Sequence, residues 1–178
     1  MNLLITGANG MLGSALAEEC RRRMLNYVAM TRKDADLTEP EQVKRFLHEK
    51  KPDVVFHCAA YTSVDLAETE PEICRAVNVE GTRAIAESCR ELDAVLCYIS
   101  TDYVFDGEGQ APHKESEQPR PLSVYGQSKY EGELIVKSLK KHYIVRSSWT
   151  YGDTGTNFLA TMLRLGAEKR QIMVVDDQ

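Results

Sequence analysis

The sequence predicts an α/β fold in which a doubly wound parallel sheet is covered by helices on both faces. Short, nearly all-apolar runs alternate with longer amphipathic segments, which is typical of strands buried between two helical layers. A glycine-rich turn at residues 7–13 follows the first apolar run and leads into the first amphipathic segment. The 178 residues, 43% hydrophobic and 28% charged, amount to one ordinary globular domain.

The apolar runs predict six strands, at residues 3–5, 27–30, 54–56, 95–100, 143–145 and 172–175. Helical spacing predicts helices at residues 11–23, 71–92, 124–140 and 158–169. A further helix should begin with Thr38 as its cap, Pro40 in its first turn and Glu41 three residues after the cap. Residues 106–123 form the one long irregular loop, and loops of that length are usually functional.

Composition excludes several classes of protein. The net charge of −5 argues against a nucleic-acid partner, and no apolar run is long enough to span a membrane. No basic-then-apolar leader precedes the first strand, so a cytoplasmic location is expected. The five cysteines contain no CxxC pair, which predicts buried thiols rather than disulfides or a zinc site. We expect no metal ligands, and nothing in the sequence supports a magnesium site.

The turn Gly7-Ala-Asn-Gly10-Met11-Leu12-Gly13 predicts a dinucleotide site. Gly7 permits a tight turn, Gly10 lets the backbone approach a pyrophosphate, and Gly13 lets the helix pack on the strand. The helix that begins near Met11 offers free N–H groups to phosphate. The alternative is a glycine turn required only for packing.

The end of the second strand indicates which cofactor is bound. An acidic residue there would bind a ribose 2′-hydroxyl, but the chain has Arg32, which suits a 2′-phosphate. NADPH is therefore favoured over NADH, unless Arg32 is only a solvated surface residue. Asp36 and Leu37 are expected to flank the adenine.

Small residues follow the third strand and leave room for a flat ligand at the carboxyl edge of the sheet. The segment contains Ala59, Ala60, Tyr61 and Thr62, although close packing of strand against helix would explain it equally well. His57 is expected to be a strand-end residue whose ring is satisfied by hydrogen bonds.

Tyr125 and Lys129 form the candidate catalytic pair. They lie four positions apart on a predicted helix and therefore face one direction. A free phenol titrates near pH 10, and we expect the neighbouring ammonium to lower that value and to bind nicotinamide ribose. Thr101, at the end of the fourth strand and followed by Asp102, could hold a substrate oxygen beside the phenol. Each piece alone could be a solvated helix face or a turn, but together they predict an oxidoreductase.

The chain resembles the extended short-chain dehydrogenase/reductase superfamily, and within it the dTDP-4-dehydrorhamnose reductases. Ser-Thr-Asp-Tyr-Val-Phe-Asp-Gly at residues 100–107 is quite specific to this group. The other matching segments are residues 53–65, 67–72, 124–129, 132–133, 146–152, 157–158 and 174–178.

The resemblance implies that NAD(P)H reduces the 4-keto group of dTDP-4-dehydro-6-deoxy-L-mannose to give dTDP-L-rhamnose. It implies Tyr125 as proton donor, Lys129 as partner of cofactor and phenol, and Thr101 with Asp102 as sugar contacts. Trp149 would form an apolar wall of the sugar site, the alternative being an ordinary core tryptophan. Related nucleotide-sugar dehydratases carry an acidic residue directly after the Thr-Asp pair; here that position is Tyr103, so reduction is favoured over elimination.

Two departures from the family pattern matter. The family usually has asparagine at the position of His57, and it continues past the position of Gln178 with a Gly-x-Pro-Thr segment and a sugar-binding part. Residues 1–178 are therefore expected to be an NAD(P)-binding domain of Rossmann type, with 149–178 beginning the substrate-facing elements. We expect an incomplete sugar pocket and an uncovered sheet edge or helix face, which favours association.

Two other functions stay open. The first is that of the regulatory subunit of methionine adenosyltransferase, which resembles the same reductases, binds NADP and works as a partner of another protein. The second is reduction of a different nucleotide-linked keto sugar. The expected partner is a nucleotide-sugar substrate, with no nucleic acid or membrane, and a homodimer is compatible with the sequence.

Overall fold

The computed structural model describes residues 1–109, 111–155 and 157–174, and its centre is a parallel sheet. The five strands are β1 (Leu3–Thr6), β2 (Tyr27–Met30), β3 (Val54–His57), β4 (Val95–Thr101) and β5 (His142–Ser147). Their order across the sheet is β2-β1-β3-β4-β5, and all four pairings are parallel. From β1 the chain passes to β2 on one side and then crosses back to β3 on the other side of β1. The crevice at such a switch point, here between β1 and β3, is where doubly wound sheets bind ligands.

Helices connect the strands and cover the sheet. They are α1 (Met11–Arg22), α2 (Pro40–Lys50), α3 (Val64–Thr69), α4 (Pro71–Arg75), α5 (Thr82–Glu91), α6 (Val124–Lys137) and α7 (Phe158–Glu168). One face of the sheet packs against α2, α5 and α6, and the other face packs against α1. The predicted doubly wound fold is confirmed.

Alternation along the central strands explains the two layers. Leu4 points into the larger apolar cluster with α2, α5 and α6, whereas Leu3 and Ile5 point into the smaller one with α1. All three are nearly or fully buried. Successive side chains of a strand face opposite sides, so a continuous apolar run is required when both faces are covered.

Three details of the prediction are wrong. Thr38 does not cap α2, because Glu39 occupies the cap position and the Thr38 hydroxyl donates instead to Asp36 at 2.9 Å. The predicted helix at residues 71–92 is interrupted by a π-helical segment, Ala76–Gly81, between α4 and α5. Residues 172–174 form no strand, and residues 175–178, which end the predicted sixth strand and the last matching segment, lie outside the described residues.

The predicted uncovered surface is present at the β5 edge of the sheet and on α7. Tyr143 and Val145 of β5 are 67% and 44% exposed. Helix α7 has no buried residue in its span, and Leu163 on it is 68% exposed. Exposed apolar side chains on an edge strand, and exposed apolar side chains on a helix, each favour association.

The cysteine thiols are free, as predicted. Cys20, Cys74 and Cys89 are buried, and Cys58 and Cys97 are partly buried. Burial raises the pKa of Cys58 and Cys89 to about 12, so these two thiols stay protonated at neutral pH.

Candidate active site

One open cavity of about 720 Å³ lies at the carboxyl ends of the strands. Every residue that the sequence predicted for a site lines it. These residues are Gly7, Gly10, Met11, Leu12, Gly13, Arg32, Asp36, Leu37, Ala59, Ala60, Tyr61, Thr62, Thr101, Asp102, Tyr125, Lys129 and Trp149. The fold therefore brings together segments that are far apart in sequence.

The glycine turn between β1 and α1 is tight enough to require glycine. Gly7 has φ of +63°, and its carbonyl oxygen accepts a hydrogen bond from the Gly10 amide at 2.8 Å. A Cβ atom on Gly13 would lie 2.2 Å from that same oxygen, so no side chain fits there. The backbone N–H groups at the start of α1 consequently face the cavity, an arrangement that suits a phosphate group.

Arg32 lies at the rim of the cavity after β2. Its Nε donates to Asp36 at 2.7 Å, while 82% of its side chain is exposed. Asp36 also accepts from the Thr38 amide at 3.0 Å, and this hydrogen bond is the main cause that lowers the pKa of its carboxyl group. Asp36 thus holds the guanidinium at the rim and leaves its terminal nitrogens open to an anion.

Tyr125 lies in the first turn of α6, the helix that packs against β4. Its ring is buried, packs near Ala67 and Cys74, and meets Tyr103 edge-on with centroids 5.7 Å apart. Burial raises the pKa of the phenol, and the neighbouring Thr101 hydroxyl offsets part of that rise. The Thr101 hydroxyl also hydrogen-bonds to Asp102 at 3.0 Å.

Lys129 is buried one turn further along α6. Its ammonium donates to the Ile99 carbonyl oxygen at 2.7 Å and lies 4.1 Å from the centroid of the Tyr98 ring. Burial lowers the pKa of Lys129 to about 7, against an opposing effect of Glu133. The expectation that this ammonium lowers the phenol pKa is wrong for this structure, because the ammonium points to Ile99 and desolvation dominates at Tyr125.

His57 is a structural residue, as predicted. Its Nδ1 lies 2.8 Å from the Thr6 hydroxyl and its Nε2 lies 3.1 Å from the Thr82 hydroxyl. Burial lowers its pKa to about 3, so the ring is neutral near pH 7. It joins β1, β3 and α5 beneath the cavity floor.

Asn78 is a buried residue that the sequence analysis missed. It accepts from the Tyr61 amide at 2.8 Å and donates to the Tyr61 carbonyl at 3.1 Å and to the Ser128 hydroxyl at 2.9 Å. It lies in the π-helical segment, and such segments are frequent at functional sites. Asn78 therefore fastens the Tyr61 loop to α6, a link between distant segments for which no local signal exists.

Trp149 is not a core tryptophan. It is 59% exposed, adopts φ of +50°, and meets Phe158 edge-on with centroids 5.0 Å apart. It lines the cavity, and its role as an apolar wall of the sugar site stays a prediction.

Several other lining residues were also missed. Ser147 ends β5, Ser148 and Thr150 follow it on either side of Trp149, and Val64 and Val77 come from helical segments. The position of Ser147 at a strand end was a usable signal, since ligands bind beyond the carboxyl ends of parallel strands. The two valines resemble ordinary core residues in sequence.

A family model described as the RmlD substrate binding domain matches residues 1–178. The chain belongs to this RmlD family. The resemblance inferred from the motifs is thereby confirmed.

Relatives within and near the RmlD family share the fold. The dTDP-4-dehydrorhamnose reductase of Streptomyces griseus is 45% identical over 177 residues, covering 98% of this chain and 58% of that protein. The crystal structure of dTDP-4-dehydrorhamnose reductase from Bacillus anthracis in complex with NADP has a TM-score of 0.92 and 44% identity, covering 96% of this chain and 61% of that one. The Thermus thermophilus UDP-glucose 4-epimerase complex with NAD has a TM-score of 0.76 and 28% identity, covering 85% and 56%. The chain thus spans less than two thirds of the length of each.

Among the described residues, no group of three or more His, Cys, Asp or Glu side chains could hold a metal ion. None of the described helices combines the length and the apolar character that crossing a membrane requires.

Proposed function

We propose that this chain binds NADPH or NADH and serves the reduction of the 4-keto group of dTDP-4-dehydro-6-deoxy-L-mannose to dTDP-L-rhamnose. The observation that carries the proposal is the convergence of Tyr125, Thr101 and Lys129 with the glycine turn around one cavity. The RmlD family and its dTDP-4-dehydrorhamnose reductases support the choice of reaction.

The glycine turn fits the pyrophosphate of a dinucleotide. The space that a Cβ on Gly13 would fill is occupied by the Gly7 carbonyl oxygen, so the backbone itself forms the cradle. Asp36 and Leu37 would flank the adenine, and residues 59–62 would lie along the ribose and nicotinamide. The Bacillus anthracis relative, crystallised with NADP, supports this use of the turn.

The chain's own side chains would place and protonate the substrate. When bound, a reduced nicotinamide supplies the hydride for the keto carbon. Thr101 and Asp102 would hold the sugar, and the Tyr125 hydroxyl would give its proton to the carbonyl oxygen. The raised pKa of Tyr125 suits this role, because the donor must keep its proton near neutral pH. Lys129 would bind the ribose and stabilise the phenolate that remains.

Reduction fits the site better than elimination. Tyr103 follows the Thr-Asp pair and lines the cavity 41% exposed. Dehydration needs an acidic residue directly after that pair as its acid–base group, and this chain has none there. The part of the longer relatives that has no counterpart in residues 1–178 would supply the remaining sugar contacts.

Direct assay of the protein that contains this chain tests the proposal. Purified protein mixed with dTDP-4-dehydro-6-deoxy-L-mannose and NADPH should consume the reduced nicotinamide, which its absorbance reports. Tight NADPH binding without turnover would favour the regulatory-subunit alternative instead. Turnover only with a different nucleotide-linked keto sugar would retain the reductase and change its substrate.

Charge reversal at Arg32 tests cofactor choice. Arg32→Asp should raise the Kd for NADPH by about tenfold to hundredfold, because a charge-assisted hydrogen bond to the 2′-phosphate is lost. NADH binding should be maintained or improved, so the preference shifts towards NADH. Fluorescence titration with both cofactors measures this ratio.

Lys33→Asp is the matched control, because it reverses the neighbouring charge at a residue that does not line the cavity. Its NADPH/NADH ratio should stay close to that of the parent. An unchanged NADPH/NADH ratio in Arg32→Asp would show that Arg32 is a solvated surface residue that does not bind the 2′-phosphate.

A further inference from the structure

Glu133 is a fully buried carboxylate that does not line the cavity. It accepts hydrogen bonds from Arg146 Nε at 2.8 Å, from Arg146 Nη2 at 2.7 Å and from the Ser100 hydroxyl at 2.7 Å. Lys137 Nζ approaches it to 3.7 Å. A charge removed from water in this way is retained only with such a complete set of partners.

The partners of Glu133 are the residues that directly precede two cavity-lining strand ends. Ser100 and Arg146 are register partners in β4 and β5, and the next register pair is Thr101 with Ser147. Glu133 itself lies on α6, one turn after Lys129. Its hydrogen bonds therefore fasten the helix that carries Tyr125 and Lys129 to the two strand ends that carry Thr101 and Ser147.

Besides its hydrogen bonds to the Arg146 and Ser100 side chains, the carboxylate of Glu133 favours the charged form of Lys129, which lies one helical turn away. The titratable groups that face Lys129 from the surrounding elements are His57 and Cys58 at the end of β3, Cys74 of α4, Tyr98 of β4, and Tyr125 and Glu133 of α6. Of these, Glu133 is the carboxylate. Although burial opposes its ionisation, hydrogen bonds from Arg146 and Ser100 keep the pKa of Glu133 below its usual range.

We propose that Glu133 is a positioning residue of this site, which sets α6 against the ends of β4 and β5 and serves as the carboxylate neighbour of Lys129 one helical turn away. The proposal rests on the proposed function only for the identity of the cofactor. Glu133 lies outside the cavity, and its carboxylate would keep the amine of Lys129, which lines the cavity, protonated. A purely structural ion pair would stabilise the fold without affecting Lys129.

The test is the pH dependence of NADPH binding in the protein that contains this chain. Between pH 6 and 9 the affinity of the parent should fall as Lys129 loses its proton, because the neutral amine binds the anionic cofactor less well. In Glu133→Gln the same fall should occur about one pH unit lower, since the carboxylate that favours the charged amine is gone. A binding profile that coincides with that of the parent overturns the proposal.

Glu131→Gln is the matched control on the same helix. Glu131 accepts from Arg75 at 2.6 Å on the opposite side of α6 from this network and does not line the cavity. The same chemical change there should leave the pH profile in place. A shift of equal size in Glu131→Gln would show a general charge effect and would also overturn the proposal.

A second variant keeps the test decisive if Glu133→Gln folds poorly. Glu133→Gln combined with Arg146→Met removes both buried charges, which restores stability in such pairs. The downward shift should persist in this double variant at a smaller size, because loss of the Arg146 cation offsets part of the loss of the carboxylate, and an upward shift refutes the proposal. A parent that binds NADPH with the expected profile but turns over no nucleotide sugar would refute the proposed reaction alone.

Discussion

Replacing Tyr125 with phenylalanine should abolish most of the turnover and leave NADPH binding nearly unchanged. The ring keeps its buried contacts with Ala67 and Cys74, so the fold should tolerate the change. The lost hydroxyl is the proposed proton donor, and such a group contributes about 10²- to 10⁴-fold to the rate. Steady-state kinetics of NADPH consumption and a separate fluorescence titration of NADPH distinguish the two effects.

Tyr130→Phe is the control for this prediction. Tyr130 lies on the same helix, its hydroxyl accepts from Gln118 at 3.2 Å, and it does not line the cavity. Its turnover should stay within about twofold of the parent, as expected for a surface change that removes no catalytic interaction. Turnover retained in Tyr125→Phe would show that another group donates the proton.

Replacing Lys129 with methionine should weaken both cofactor binding and turnover. One ammonium is proposed to serve the ribose and the phenolate, so its loss raises the Kd for NADPH and lowers kcat together. We expect at least about tenfold in each, the scale of one charge-assisted hydrogen bond. Lys44→Met, which breaks the 2.8 Å ion pair between Lys44 of α2 and Glu87 of α5, is the control and should change neither.

The difference in stability between Lys129→Met and the parent should depend on pH, because the parent buries a titratable amine. Burial lowers the pKa of Lys129 to about 7, whereas an unfolded lysine titrates near about 10.4. The unfolded state therefore binds the proton more readily, and the cost of burying the charged lysine is complete below pH 7 and declines as the pH rises towards the unfolded value. The methionine variant should melt higher than the parent at pH 6, with a smaller difference at pH 9. A lower melting temperature at pH 6 would contradict the pKa assigned to Lys129.

Local patterns predicted the strands and most helices because their signals lie within a few residues. The run at residues 27–30 is a strand with the predicted bounds, and the turn from Gly7 to Gly13 has the geometry that its spacing indicated. The prediction that Thr38 caps α2 was wrong for a reason that is also local, because the Thr38 hydroxyl donates to the Asp36 carboxylate two residues away. Short polar side chains compete for such bonds, so the cap position shifts easily.

The surroundings of the site depended on contacts that no window of sequence contains. Asn78 reaches Ser128 across 50 positions, and Ser100 reaches Glu133 across 33. The pKa of Tyr125 was wrongly expected to be lowered because the direction of the Lys129 side chain was unknown. In the fold that ammonium turns to Ile99, and desolvation decides the titration of the phenol.

The sequence by itself determined the parallel sheet, the glycine cradle and the identity of Tyr125, Lys129 and Thr101 as candidates, because periodicity and motif spacing are properties of the chain alone. Only the tertiary structure decided how far each group is buried and which charges face it. Burial and electrostatic fields arise from segments that folding brings together. They determine the pKa of Lys129, and they determine the hydrogen bonds that hold the Glu133 carboxylate next to Arg146.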